Sequence, residues 1–243
     1  MRLRATLLAL LAAPVVALPA TADGECTDPK ICSSFSLLGA RWPADTQGRV
    51  VVDYWVNPTT WHVSAEEAVG LFQAAAATWE AAHPRLDLRY RGTVDTPPDL
   101  DDGRSVFGFS APLLPVVEGA HASVRQVDGV IQEADIVINI TAGGTWQQCE
   151  QRDGACGGHA DEIQTPVGST HTWMGELQGI ATHEIGHVLG LDHADDGDVV
   201  LTMHLINDTA EGMRYQTLGR GDVRGIRALY PCRGCPAPKV FAP

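Results

Sequence analysis

The run His183-Glu184-Ile185-Gly186-His187-Val188-Leu189-Gly190-Leu191-Asp192-His193 places three imidazoles and a carboxylate within eleven residues. On a helix, His183 and His187 lie one turn apart and are rotated by only about 40°, so both rings face the same side. Two neutral imidazole nitrogens so placed can grip one Zn²⁺ at about 2.0–2.1 Å. Gly190 is expected to end that helix, because glycine passes through a left-handed turn without steric penalty. The turn then returns His193 as a third ligand. Three protein ligands leave the fourth position of the ion open, which is the arrangement of a catalytic site, whereas a structural site closes all four. Glu184, beside the first ligand, is placed to take a proton from water at the open position. By composition, the five fixed positions arise by chance roughly once in twenty thousand such chains, so the zinc reading outweighs three unrelated histidines.

Other elements must position this run. Val50-Val51-Val52-Asp53-Tyr54-Trp55-Val56 is β-branched and aromatic, a strand ended by Asn57-Pro58. Ser64-Ala65-Glu66-Glu67 reads as a capping box that opens a helix. Ala68, Leu71, Phe72, Ala75 and Trp79 continue it at helical spacing, and Pro84 stops it. Leu86, Leu88 and Tyr90 alternate with charged residues as a second strand, and short strands are expected at Val106–Phe109 and Ala120–Val127. Ile136, Ile138 and Ile140 alternate as a further strand. A loop of about thirty residues then leads to the metal-binding helix, expected near Met174–Leu189; loops of that length are usually functional. No internal repeat or linker is found, so one domain is expected.

The remaining chemistry is modest. Residues 95–103 form an acidic loop whose carboxylates are of the type calcium prefers, although no EF-hand spacing is present and a solvated loop is the plainer reading. The chain has 243 residues with Lys+Arg 17 against Asp+Glu 30, a formal charge of −13. An acidic chain without a basic stretch is a poor partner for phosphate backbones, which excludes nucleic-acid binding from the working set. Arg2 and Arg4, the apolar Leu7–Ala13 run and Ala20-Thr21-Ala22 form a signal-peptide pattern cut after Ala22. An exported, extracellular product with no membrane attachment after cleavage is therefore expected. The six cysteines fall in three close pairs, Cys26 with Cys32, Cys149 with Cys156, and Cys232 with Cys235. Crosslinks between the two chain ends are also open to them. Disulfides fit an oxidising compartment better than zinc at Cys232-x-x-Cys235, which lacks a second ligand pair nearby.

H-E-x-x-H-x-x-G-x-x-H is the metzincin zinc motif, and Met203 in Leu201-Thr202-Met203-His204 follows the third histidine where that clan has its methionine turn. Within the clan the chain resembles a bacterial-type secreted matrixin, the family of matrix metalloproteinases. Leu177–Thr182, Asp222–Tyr230 and Ala134–Asn139 are similar to family sequence, as is the early helix with Trp79, and the resemblance spans residues 48–231. It implies an α+β zincin fold: a twisted mixed sheet with an antiparallel edge strand, an active-site helix and a C-terminal helix. The implied organisation is a signal peptide over 1–22, an N-terminal segment over 23–47, a catalytic domain over 48–231 and a tail over 232–243.

The resemblance implies zinc-dependent hydrolysis of polypeptides by a monomer. His183, His187 and His193 would hold the metal, Glu184 would act as general base, and Met203 would pack beneath the ligands. Ala120, His121 and Ala122 lie in an Ala-His-Ala stretch like the family's edge strand, the expected seat of an extended substrate. The family's other structural-zinc ligands have no counterpart, so His121 is read as an ordinary residue; so are His159 and His171. No P-R-C-G-x-P-D latency segment is found, and Pro231-Cys232-Arg233-Gly234-Cys235 resembles it only superficially. Gly221 stands where the family has the first of two paired aspartates, leaving Asp222. Two rivals are an astacin-like protease, against which Leu205 counts, and a catalytically silent zinc-binding adhesion module.

Overall fold

The computed structural model describes residues 31–60, 63–99, 101–110, 120–139, 177–194, 201–204, 216–232 and 234–236. The signal sequence, Cys26, Ile140, Cys149, Cys156, His159, His171, Met174, Leu205 and the end of the C-terminal tail lie outside the described residues.

The β-branched run folds as expected into a strand, β2 (Val50–Asn57), preceded by a two-residue strand β1 (Ser36–Leu37). Helix α1 (Ala65–Ala82) opens on the capping box: the Glu67 amide donates to Ser64 Oγ at 3.2 Å and the Ser64 amide to Glu67 Oε2 at 2.8 Å. Its apolar stripe, Ala68, Leu71, Phe72, Ala75 and Trp79, is buried. Strands β3 (Leu86–Thr93), β4 (Ser105–Ser110), β5 (Ala120–Val127) and β6 (Val130–Asn139) follow. Helix α2 (Leu177–Val188), the two-residue strand β7 (Leu191–Asp192) and helix α3 (Arg220–Leu229) complete the described elements.

Five strands form one sheet in the order β3-β2-β4-β6-β5. Every neighbouring pair is parallel except β5 and β6, so β5 is an antiparallel edge strand. β5 and β6 are joined through Asp128-Gly129, both at positive φ (52° and 75°), as a tight two-residue hairpin turn requires. Phe72 of α1 tilts against Phe107 and Phe109 of β4, with ring centroids 5.7 and 5.9 Å apart, and Phe107 stacks on Tyr54 of β2 at 4.7 Å. α2 packs beside α1 and along β5 and β6, where the Trp79 indole donates to Thr182 O at 2.8 Å. The mixed sheet with its edge strand, active-site helix and closing helix is the α+β architecture expected.

Part of the expected N-terminal segment packs into the core. β1 pairs antiparallel with β7, and Cys32, Ala40 and Trp42 are buried. The segment is irregular in backbone but integral to the core. Cys232 and Cys235 are bridged, with Cα atoms 5.6 Å apart, and Cys32 is also disulfide-bonded.

Candidate metal centre

The ligand-bearing run folds as helix, turn and short strand. α2 ends at Val188, Gly190 takes φ +102°, and β7 leads straight into His193. Any side chain at Gly190 would strike the Ala40 carbonyl as well as strain the backbone. The turn reverses the chain onto the helix face that carries His183 and His187.

The three rings meet through their Nε2 atoms. His187 Nε2 lies 3.1 Å from His183 Nε2 and 3.2 Å from His193 Nε2. The ring of His187 stands edge-on to the other two, at interplanar angles of 79° and 84°. Nitrogens bound to one tetrahedral zinc at about 2.0–2.1 Å are separated by about 3.3–3.4 Å, close to these distances. The outer nitrogens fix the tautomers. His183 Nδ1 faces Thr202 O at 2.6 Å and His187 Nδ1 faces Leu191 O at 2.9 Å. A carbonyl only accepts, so each Nδ1 donates and each Nε2 keeps a lone pair. Two lone pairs facing each other at 3.1 Å call for a cation between them, and the donor set fits zinc. Among the described residues, these three form the only grouping of at least three potential metal-ligand side chains.

Electrostatics keeps the rings neutral. Burial, then the charge of His187, holds His183 well below the usual imidazole range. Burial pushes His187 down to about 4 and also lowers His193. Neutral imidazoles are the metal-binding form. Glu184 follows His183 on α2 and is 6% exposed, unusually low for a carboxylate.

Met203 lies in the turn Leu201–His204, 2% exposed, with its sulfur and the Trp79 ring closing over Gly186 of α2. Its carbonyl accepts from Ala194 N at 2.7 Å, just beyond His193. The buried Asp222 holds this turn from below. Its Oδ1 accepts from Met203 N at 3.0 Å, and its Oδ2 accepts from Thr202 N at 3.0 Å and Gly219 N at 2.8 Å. Burial pushes the Asp222 carboxyl up to about 6 against these bonds. Asp222 thus orients the Thr202 carbonyl that orients His183. Its signal was an acid three residues after Gly219 at a helix start, but its target was not visible. Gly221, which leaves the first aspartate position empty, makes room for the Ser34 carbonyl instead.

Ala120, His121 and Ala122 lie on β5 opposite Ile138, Val137 and Ile136 of β6. His121 is exposed, and α2 packs along β5. The edge strand therefore borders the ligand-bearing helix. The acidic loop is tied within the protein: Arg125 Nε lies 3.2 Å from both Asp101 Oδ1 and Glu133 Oε2, and Asp102 N donates to Glu133 Oε1 at 3.1 Å.

Sequence relatives share this region. Metalloendoproteinase 5-MMP of Arabidopsis thaliana is 31% identical over 121 residues, 41% of this chain and 32% of that protein. Matrix metalloproteinase-23 of Homo sapiens is 40% identical over 60 residues, 25% of this chain and 14% of that protein. This chain thus spans a third or less of the length of these curated relatives. Among solved structures, high choriolytic enzyme 1, a hatching enzyme zinc-protease from Oryzias latipes, aligns with 80% of this chain and 96% of its own at 14% identity and a TM-score of 0.40. The family model described as matrixin matches residues 41–231, which takes in β2 to α3 with the three histidines, and the chain belongs to the matrixin family.

Proposed function

We propose that this chain is an exported zinc-dependent endopeptidase, with His183, His187 and His193 as the metal ligands and Glu184 as general base. The observation that carries the reading is the convergence of three imidazole Nε2 atoms one residue from a nearly buried carboxylate. A bound zinc supplies polarisation of the scissile carbonyl and a lowered pKa for water. Glu184 takes the proton of the attacking water and passes it to the leaving amine nitrogen as the peptide bond breaks. The substrate lies extended along β5, whose Ala120–Ala122 stretch offers backbone groups at the sheet edge. Small neighbours on either side of His121 leave that edge open to a peptide backbone. Met203 packs beneath the ligands and makes no bond to the metal.

Export rests on the charged, apolar and small-x-small pattern of residues 1–22 and on six cysteines that suit an oxidising compartment. Among the described residues no helix is long and apolar enough to cross a membrane. The acidic loop has no part in the proposal. The test is casein hydrolysis by the purified chain with and without a chelator, beside Glu184→Ala. Glu184→Ala should lose about 10²–10⁴-fold in rate while keeping about one zinc per chain. Unchanged hydrolysis in that variant removes the general-base role. Zinc without hydrolysis in the unsubstituted chain points to the silent binding module.

A further inference from the structure

We infer that residues 33–42 are a permanent positioning clamp on the metal centre, with Trp42 as its key residue, and not a leader whose removal switches the enzyme on. The inference rests on the zinc reading proposed above.

A helix leaves its last carbonyls without intrahelical partners. At the end of α2 those carbonyls belong to the very turn that must deliver His193. The Trp42 indole donates to Val188 O at 2.8 Å. The Leu38 amide donates to Gly190 O at 3.0 Å. The Leu189 carbonyl accepts from the Tyr230 hydroxyl at 2.7 Å, and that hydroxyl oxygen itself accepts from Trp42 N at 3.1 Å. Thus two of three consecutive carbonyls are capped by residues 33–42, and the third is capped by a phenol that the same segment holds.

The segment also fixes the ligand strand directly. Ser36 pairs with Asp192 and Leu37 with Leu191, and the Leu191 carbonyl is the one that orients His187. The Ala40 carbonyl presses on Gly190. Both ends of the clamp are anchored. Arg224 donates to Ser33 O at 3.0 Å and lies over the Phe35 ring, while Arg41 N donates to Gly129 O at 3.0 Å and Ile131 N to Arg41 O at 2.8 Å. A removable leader would cover the site's open face. This one grips the backbone of the ligand turn itself.

The test measures zinc affinity of the full chain by competition with a chromogenic chelator, and the visible spectrum of the cobalt-substituted protein. Trp42→Phe keeps an aromatic side chain, though a smaller one, and removes the N–H donor; it should weaken zinc about tenfold and shift the cobalt bands. Tyr230→Phe, which removes one hydroxyl and serves if Trp42→Phe does not fold, should move both readouts in the same direction. Leu88→Ala, a core truncation on β3, should lower the unfolding temperature and leave both unchanged. Cutting an engineered site in the exposed Asp45–Gly48 turn should lower the peptidase rate, whereas release of a latency segment would raise it. Wild-type affinity and cobalt bands in both capping variants, or an equal shift in Leu88→Ala, overturn the clamp alone. Failure of the unsubstituted chain to bind zinc overturns the function proposed above and the clamp with it.

Discussion

His83, just past the end of α1, and His183, inside α2, are both buried, and burial lowers the pKa of both. His83 uses both ring nitrogens on backbone: Nε2 donates to Tyr230 O at 2.8 Å and Nδ1 accepts from Arg85 N at 3.4 Å. His183 gives one nitrogen to the Thr202 carbonyl and turns the other towards two further imidazoles. Burial and a neutral ring are therefore common to a structural histidine and a candidate ligand. The destination of the second nitrogen separates them, and for His183 that destination is set by the Thr202 carbonyl of a distant turn.

The sharpest way to break this comparison is to remove each ring. His187→Ala should abolish retention of zinc through desalting, while His83→Ala should keep about one zinc per chain and lose stability, as metal analysis and thermal unfolding would show. Zinc loss in both variants would erase the distinction. Asp222→Asn removes one of the carboxylate's accepting oxygens beneath the turn. It should weaken zinc about tenfold by chelator competition, through misorientation of the Thr202 carbonyl.

Acid should separate the regions further. In the metal-free protein His187 titrates near 4 when folded against a usual 6.5. The unfolded chain then binds more protons between those values, so this contribution is complete above about pH 6.5 and is lost as pH falls towards 4. The buried Asp135 has the opposite sign. Its Oδ1 accepts from Val106 N at 2.8 Å, its Oδ2 has no partner, and burial with nearby Glu133 and Asp102 pushes it from 3.8 up to about 7. The folded state binds the extra proton there, so that contribution begins to be lost as pH rises past about 4 and is gone above about 7. Asp135→Asn should accordingly raise the unfolding midpoint by roughly 2–4 °C at pH 8 and clearly less at pH 5. An equal change at both values would contradict a buried, protonated aspartate.

The parts of the fold most legible in the sequence were those with local signals. Ser64 with Glu67, the α1 stripe, the β2 run and the glycine after α2 each carry their structure within a few residues. The histidine spacing belongs to the same class, because one helical turn is a local fact. The Asp128-Gly129 hairpin carries an equally local turn signal. What was not legible depended on distant partners. β1 is two residues long, too short for alternation, and owes its existence to β7 more than 150 residues later. Asp222 reads as an ordinary helix-start acid until Thr202 and Met203 lie on top of it. Trp42 likewise carries no periodic pattern, and its importance comes only from the carbonyl it meets.

X-ray absorption of the zinc-loaded full chain tests most directly whether three imidazoles share one ion. The predicted result is a shell of three nitrogens at about 2.0–2.1 Å completed by one oxygen, with no sulfur. A sulfur shell at about 2.3 Å, or fewer than three imidazoles per zinc, would contradict it.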